Sequence, residues 1–567
     1  MKRGLKLLLV SSITTFMLSG CILNGGKKEV KRERNKYGEI ITVGRKRANP
    51  KVAKNRKDTL VVAVNDFNSK RNPLYTTNGY DLWFTTLIFE GLVSHDQGGQ
   101  IVNNIAKKWE VSDDGKKYTF HLEKGVKFSD GSELTAEDVA FTYIALCDPS
   151  YKGPFANNMR LLEGYDYYKY GNGEDVIGIE IEDKYKISFT FMEEDSSLIY
   201  DFQVGILPKK HYNFTKGQIS QIDELINKPL GSGPYSLQSF VEDKEVKLIK
   251  NVHYWKGEPK INNILFKKAA GDEGLRQLGS GEVDIAKFIA NDDRVDYLQS
   301  LGYVDLHLFD SNSFQYIGLN LRNPKFQDIK VRQALIYGLN REKLVREVYG
   351  DYGSIFNTPL AKCSWAYPGN LNPYLYSKSM AERLLEESGW IKREDGYRYD
   401  EKGNKFTIKW STYGDTRYAE VLRQMVVENW KDIGVEVDVE VLPFDQLMIK
   451  VYDNRDFEMY NMSWALSQDP DPSEIFSIKE DYPGGYNTVG WRNMESDELI
   501  YLALKEKKME KKQIIYGAWA KLVNDDLPYI YVCQNKELLG VNMRVEGINV
   551  SSYKEWTQDA YKLTIDD

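Results

Sequence analysis

Five histidines, three cysteines beyond residue 21 and 83 acidic side chains are the groups in this 567-residue chain able to coordinate a metal, attack a carbonyl or move a proton. Such work requires fixed company. A zinc protease needs two His and a Glu at helical spacing, a serine hydrolase a nucleophile on a glycine-flanked turn, and an ATPase a glycine-rich phosphate cradle. No HExxH, GxSxG, Walker or paired-Cys zinc pattern occurs in the sequence. His95, His121, His211, His253 and His307 stand singly, a pattern more typical of packed or surface residues than of ligands. Cys147, Cys363 and Cys533 are widely spaced with no CxxC pair, so at most one intramolecular disulfide can form. Carboxylate pairs are abundant in so acidic a chain and assign nothing. The residues point to no enzyme, no metal site and no cofactor.

The elements that must position any site are those of a mixed α/β protein. The run TLVVAV, Thr59 to Val64, reads as a buried strand, and Tyr118 to Leu122 and Ile187 to Phe191 as further strands. Thr135 and Asp138 form a capping box opening a helix through Val139, Phe141 and Ile144. Val331, Ala334, Leu335 and Gly338 share one face of a helix starting near Asp328, and a helix over Ser379 to Ser388 stops at Gly389. Leu422, Met425, Val426, Trp430 and Ile433 make an apolar stripe closed by Gly434. After it, Val435, Val437, Val439 and Val441 alternate with acids as a half-buried strand. No internal repeat is present, which disfavours solenoids and propellers.

Length and charge narrow the class. With 42 % hydrophobic and 28 % charged residues the chain is globular, and its net charge of −7 argues against nucleic acid as a partner. The charge is uneven. Residues 1–20 hold three basic groups and residues 27–57 hold thirteen Lys or Arg against three Glu, which leaves −20 of the net −7 on residues 58–567. Lys2, Arg3 and Lys6 precede an apolar stretch from Leu7 to Leu18, too short for the roughly 20 residues of a membrane span, so it reads as a signal peptide. Leu18-Ser19-Gly20-Cys21 resembles the lipobox of bacterial lipoproteins, which implies lipidation of Cys21 and a chain tethered to the extracytoplasmic face of the cell membrane. Lys27 to Lys57 would then be a basic linker, either beside the headgroups or solvated with no membrane contact.

Four ordered segments carry a wider resemblance. LIFEGLVS at Leu87 with GVKFSDGSELTAEDVAFTY at Gly125, GSGPYSLQSF at Gly231 with NVHYWKG, YIGLNLRNPKFQDIKVRQALIYGLNREKL at Tyr316, and WALSQDPDP with GGYNTVGW together resemble the peptide and nickel family of extracytoplasmic solute-binding proteins. The resemblance implies a two-lobed periplasmic-binding-protein-like α/β fold of the class II type with a small extra domain inserted in the first lobe. Residues 1–20 would be the signal peptide and 21–57 the lipid-anchored linker. Domain I would comprise 58–85, 230–310 and 528–567, domain II the inserted 86–229, and domain III the second lobe, 311–527, with a hinge near Ser311 and Leu527.

The family's function implies an oligopeptide ligand in the interlobe cleft, delivered by a monomer to the permease and ATPase subunits of an ABC importer. Strand edges can pair with a peptide backbone whatever its side chains, and wide wet pockets accommodate the rest. The alternatives are a non-peptide solute such as a nickel complex or a sugar, or a surface receptor for a signal peptide. Carried over residue by residue, Thr76, Thr77, Asn78 and Gly79 match a ligand-lining loop of the first lobe. Ser463, Trp464 and Ala465 match the second-lobe strand that pairs with peptides, and Asn487 matches a pocket-lining Asn. Gly231 and Gly233 read as turn residues. One position departs from the family. Members that grip a peptide's amino group use an Asp three residues after this Trp, where this chain has Ser467. Of the nearby acids, Asp471 before Pro472, Ser473 and Glu474 has the pattern of a helix cap, which leaves Asp469 as the only local candidate. The expectation is a cleft that does not anchor a terminal ammonium, so that longer peptides lie across it with their ends in water or a non-peptide binds.

Overall fold

The computed structural model describes residues 30–44, 48–67, 72–76, 79–156, 158–225, 228–414 and 416–566. Cys21, the signal peptide, Thr77 and Asn78 lie outside the described residues. Part of the segment expected as a linker is a hairpin instead: β1 (Lys31–Asn35) and β2 (Gly38–Thr42) pair antiparallel. Asn35 Oδ1 accepts from the backbone N–H groups of Tyr37 and Gly38 and sets the turn. The reason lies in GEIITV, whose Ile41 and Val43 are buried although every residue of β1 is exposed. Burial of two aliphatic side chains, about 1.5–3 kcal/mol each, decides the matter over the surrounding charge.

The first lobe is built on β3 (Thr59–Val64), covered on both faces as its unbroken apolar run requires. The chain leaves it through α1 (Gly79–Ile88) for the inserted domain, a four-stranded sheet. That sheet is formed by β4 (Ala106–Val111), β5 (Lys117–Leu122), β6 (Ile179–Asp183) and β7 (Lys186–Thr190) in the order β4-β5-β7-β6. Helix α2 (Ala136–Leu146) covers it, and the Asp138 carboxylate accepts from the Thr135 N–H at 2.9 Å, as the capping pattern requires. Phe120, Phe189 and Phe202 form its aromatic centre, with ring centroids 4.5 and 4.8 Å apart. Gly231 and Gly233 bring the chain back. They are glycine because a Cβ would fall on the carbonyl oxygens of Ile88 and Leu87, so they mark a close backbone approach.

Strands β8 (Tyr235–Val241), β9 (Glu245–Lys250), β10 (Asn263–Lys268), β11 (Ile285–Ile289) and β12 (Val304–Asp310) complete the first lobe, with β2 laid along β12. The second lobe holds β13 (Ser313–Leu319), α3 (Ile329–Tyr337), β14 (Gly353–Ile355), α4 (Lys378–Glu387) and β15 (Thr407–Thr412). It continues with α5 (Arg417–Asp432), β16 (Glu436–Val441), β17 (Met459–Ala465), α6 (Ser473–Phe476), α7 (Met494–Lys505) and α8 (Met509–Asp526). The helix and strand expected around Gly434 are α5 and β16. The glycine takes φ 87° between them, and β16 is an edge strand whose last residue, Val441, is exposed.

The last long strand, β18 (Tyr529–Asn542), belongs to both lobes. Its first half pairs with β13 and β14, its second with β11 and β12. The main ladder of the 14-stranded sheet therefore runs β8-β9-β10-β3-β11-β18-β13-β17-β15-β16. The crossings between lobes sit at Ser311, whose N–H donates to Asn535 O at 3.0 Å, and inside β18 at Asn535 and Lys536. The second crossing is thus past Leu527, the expected hinge. Leu527 instead ends α8 in a left-handed conformation, φ 47°, with its carbonyl held by the Arg332 guanidinium at 3.1 Å. Among the described residues no helix is long and apolar enough to cross a membrane.

Candidate ligand-binding site

The lobes and the inserted domain enclose a cavity of about 1810 Å³. Strand β17 builds its second-lobe wall. Strand β13 pairs with β17 from Met459 to Ala465, but on the other side β15 accompanies it only at Met459 and Tyr460. Beyond Asn461, whose side chain accepts from Trp410 Nε1 and Thr412 Oγ1, that edge carries no further strand among the described residues. Trp464, Ala465, Leu466 and Ser467 there line the cavity. A free row of N–H and C=O groups on a cavity wall can receive an extended backbone.

The expected residues divide. Thr76 and Gly79 line the first-lobe wall, with Thr76 Oγ1 donating to Asn72 O at 3.0 Å and Gly79 opening α1 at φ 70°. Trp464 is half-buried, edge-on to Tyr486 at 5.5 Å, and both packs against the core of the second lobe and lines the cavity. Ser463 does not line the cavity. It sits opposite Gln315 on β13 and is exposed, on the same face of β17 as Ala465 but two residues further from the cavity. Asn487 is also displaced from its expected role: it is 0 % exposed, outside the cavity wall, and donates to Ser477 O and Trp491 O while accepting from the Trp491 N–H. Both of its donors and its oxygen are thus used within the buried loop before Trp491.

Ser467, Asp469 and Asp471 all line the cavity; Asp469 Oδ1 accepts from the Asp471 N–H at 3.1 Å, while its buried Oδ2 has no hydrogen-bond partner among the described residues. Ser467 donates its hydroxyl to Asp469 O. Asp471 accepts from both the N–H and the hydroxyl of Ser473 at the start of α6, as its pattern indicates, although the helix begins at Ser473 and not at Pro472. Burial, with Asp469 alongside, pushes the Asp471 carboxyl up to about 7. Burial also raises Asp469, against the opposing pull of the Lys512 ammonium at 3.9 Å.

Polar contacts bridge the cavity mouth. Gln203 Nε2 of the inserted domain donates to Gln468 Oε1 of the second lobe at 2.9 Å, and Gln468 Nε2 lies 3.0 Å from His95 Nε2. Burial lowers the pKa of His95 and favours its neutral ring. Sequence reasoning missed these residues, because a lone His and two Gln have no motif and acquire their role only when the lobes meet. Cys147 and Cys533 are buried and unpaired, and burial raises both thiols, Cys533 to about 12, the direction opposite to activation. Among the described residues no group of His, Cys, Asp or Glu is arranged to hold a metal.

Two α/β lobes joined through a shared strand, closing on a large cavity with an unpaired strand edge in its wall, define a two-lobed solute-binding protein. The family described as "Bacterial extracellular solute-binding proteins, family 5 Middle" matches residues 100–485, and the chain belongs to it. It is 28 % identical over 487 residues to the oligopeptide-binding protein AppA of Bacillus subtilis (strain 168), covering 84 % of this chain and 86 % of that one. The structure of AppA in complex with a nonapeptide superposes with a TM-score of 0.73 at 26 % identity, covering 90 % of this chain and 99 % of the other. NikZ from Campylobacter jejuni in complex with Ni(L-His) shares the fold, with a TM-score of 0.74 at 22 % identity over 90 % of this chain and 99 % of that one. These relatives are solute-binding proteins.

Proposed function

We propose that the protein receives extended oligopeptides in the interlobe cavity and delivers them to the permease and ATPase subunits of an ABC importer. The observation that carries this reading is the free edge of β17, which carries no partner from Met462 onward among the described residues and reaches the cavity wall at Trp464 and Ala465. A peptide bound there gains backbone hydrogen bonds independent of its sequence, each worth about 1 kcal/mol net. Calorimetry with a nonapeptide and a copy N-methylated at alternate residues tests it. The methylated copy should bind at least tenfold more weakly; equal affinity for the two refutes edge pairing.

The terminal ammonium of that peptide finds no dedicated partner at Ser467, whose hydroxyl is engaged with Asp469 O, and Asp469 has Lys512 beside it. N-acetylation of the nonapeptide should therefore change affinity by less than about tenfold, or ~1.4 kcal/mol. The tether belongs to the same proposal: a lipid on Cys21 keeps the receiver near its permease. Cys21→Ser expressed in a bacterial host should leave the protein unprocessed or released from the membrane fraction, and fractionation like wild type would remove the anchor.

A further inference from the structure

The run Lys505 to Lys512, KEKKMEKK, reads as a solvated turn between helices, yet it faces the inserted domain. Leu504 O accepts from the Ser196 N–H at 3.0 Å. Lys505 Nζ donates to Glu194 O. Lys507 Nζ donates to Asp113 O at 2.6 Å and pairs with the Glu194 carboxylate at 3.2 Å. Lys512, buried to 6 % exposure, donates to Ser196 Oγ at 2.9 Å while standing 3.9 Å from Asp469 Oδ2.

We propose that this junction is a latch, by which the inserted domain holds the second lobe in the closed arrangement. Three lysines of the second lobe converge on one loop, Glu193 to Ser197, that also lines the cavity, so the latch lies at the rim of the ligand space. Several of its acceptors are backbone carbonyls, so it recognises the shape of the loop and engages only when the lobes have come together. Gly115 prepares the loop: at φ 73° it turns β4 into β5, and a Cβ there would collide with the Glu194 side chain. Opening the cleft exposes all of these groups to water at once. Contacts present in one state and absent in the other shift the closure equilibrium, and with it the residence of anything inside. The inference rests on closure itself and does not depend on which ligand is taken.

Hydrogen exchange on the protein as purified tests it without a ligand. The Ser196 amide should be protected in wild type and exchange at least tenfold faster in Lys505→Ala/Lys507→Ala. The Thr119 amide, at the centre of the inserted sheet opposite Ser188, should keep its rate within about twofold. Ser196→Ala, which removes only the acceptor of Lys512, should accelerate the same amide to a smaller extent. A Ser196 amide already unprotected in wild type, or unchanged in the lysine variant, overturns the latch. So does equal acceleration at Ser196 and Thr119, because the lysines would then be supporting the domain's own fold.

Discussion

Arg544 grips Asp284 at two points, Nε on Oδ1 at 2.8 Å and Nη2 on Oδ2 at 3.0 Å, and both residues are almost wholly buried. Arg56 adds a third contact at 2.7 Å and the Val61 N–H a fourth at 2.9 Å, so one carboxylate ties β3, the segment before it and the chain after β18 together. The paired charges alone contribute little, because their desolvation offsets their attraction, but removing one partner leaves the others buried and uncompensated.

Asp284→Ala should accordingly lower stability by about 3–5 kcal/mol. A denaturant titration followed by tryptophan fluorescence measures it. A loss below about 1 kcal/mol would mean that water reaches Arg544 and replaces the carboxylate.

Acid should weaken the first lobe through His307. This ring sits on β12 between Ile40 of β2 and Leu539 of β18, and burial lowers its pKa from the usual 6.5 to about 4. The unfolded chain then binds a proton that the folded one refuses. Stability is intact above pH 6.5, falls as pH drops below it, and the loss levels off near roughly 3 kcal/mol once pH is below 4. His307→Leu should flatten that limb: between pH 7.5 and 4.5 its unfolding temperature should fall by several degrees less than wild type. Parallel declines would show that other groups govern the acid response.

Asn487→Ala separates a structural role from a ligand role. It strips partners from Ser477 O, Trp491 O and the Trp491 N–H, all within a buried loop, and should cost roughly 3 kcal/mol. The folded fraction should bind the nonapeptide within about threefold of wild type. Retained stability with a tenfold loss of affinity would restore Asn487 to the cavity.

What could be read from the sequence was what is local. Leu422 to Val441, the Thr135 cap and the α4 terminus at Gly389 follow from periodicity and cap chemistry within a few residues. The hairpin at Lys31 to Thr42 did not show through, because its charges hide a short apolar core that finds its partner, β12, far along the chain. The free edge of β17 was approachable only through family resemblance. That the pairing of β15 with β17 ends at Tyr460 is a fact of strand pairing, which composition and alternation do not encode. Nothing in the lysine run at 505–512 marks it as a contact, because its carbonyl partners at Asp113 and Glu194 belong to another domain.

Gly233→Ala tests the close approach that brings the chain back from the inserted domain. The added methyl meets the backbone of Leu87 and Ile88, which cannot rotate aside, so a loss of about 1–3 kcal/mol is expected. Thermal scanning reads it, and an unchanged midpoint would show that the return segment can shift.

Strand β18 follows in the chain every strand it pairs with: β11, β12, β13 and β14 are all made before Tyr529 appears. During synthesis each half-sheet therefore waits with an open central slot, and a single late segment fills both. The two lobes cannot mature one after the other as independent beads would. Their sheets are completed together, by long-range pairings of the kind that slow folding. Until then the vacant edges of β11 and β13 are exposed to any passing extended chain.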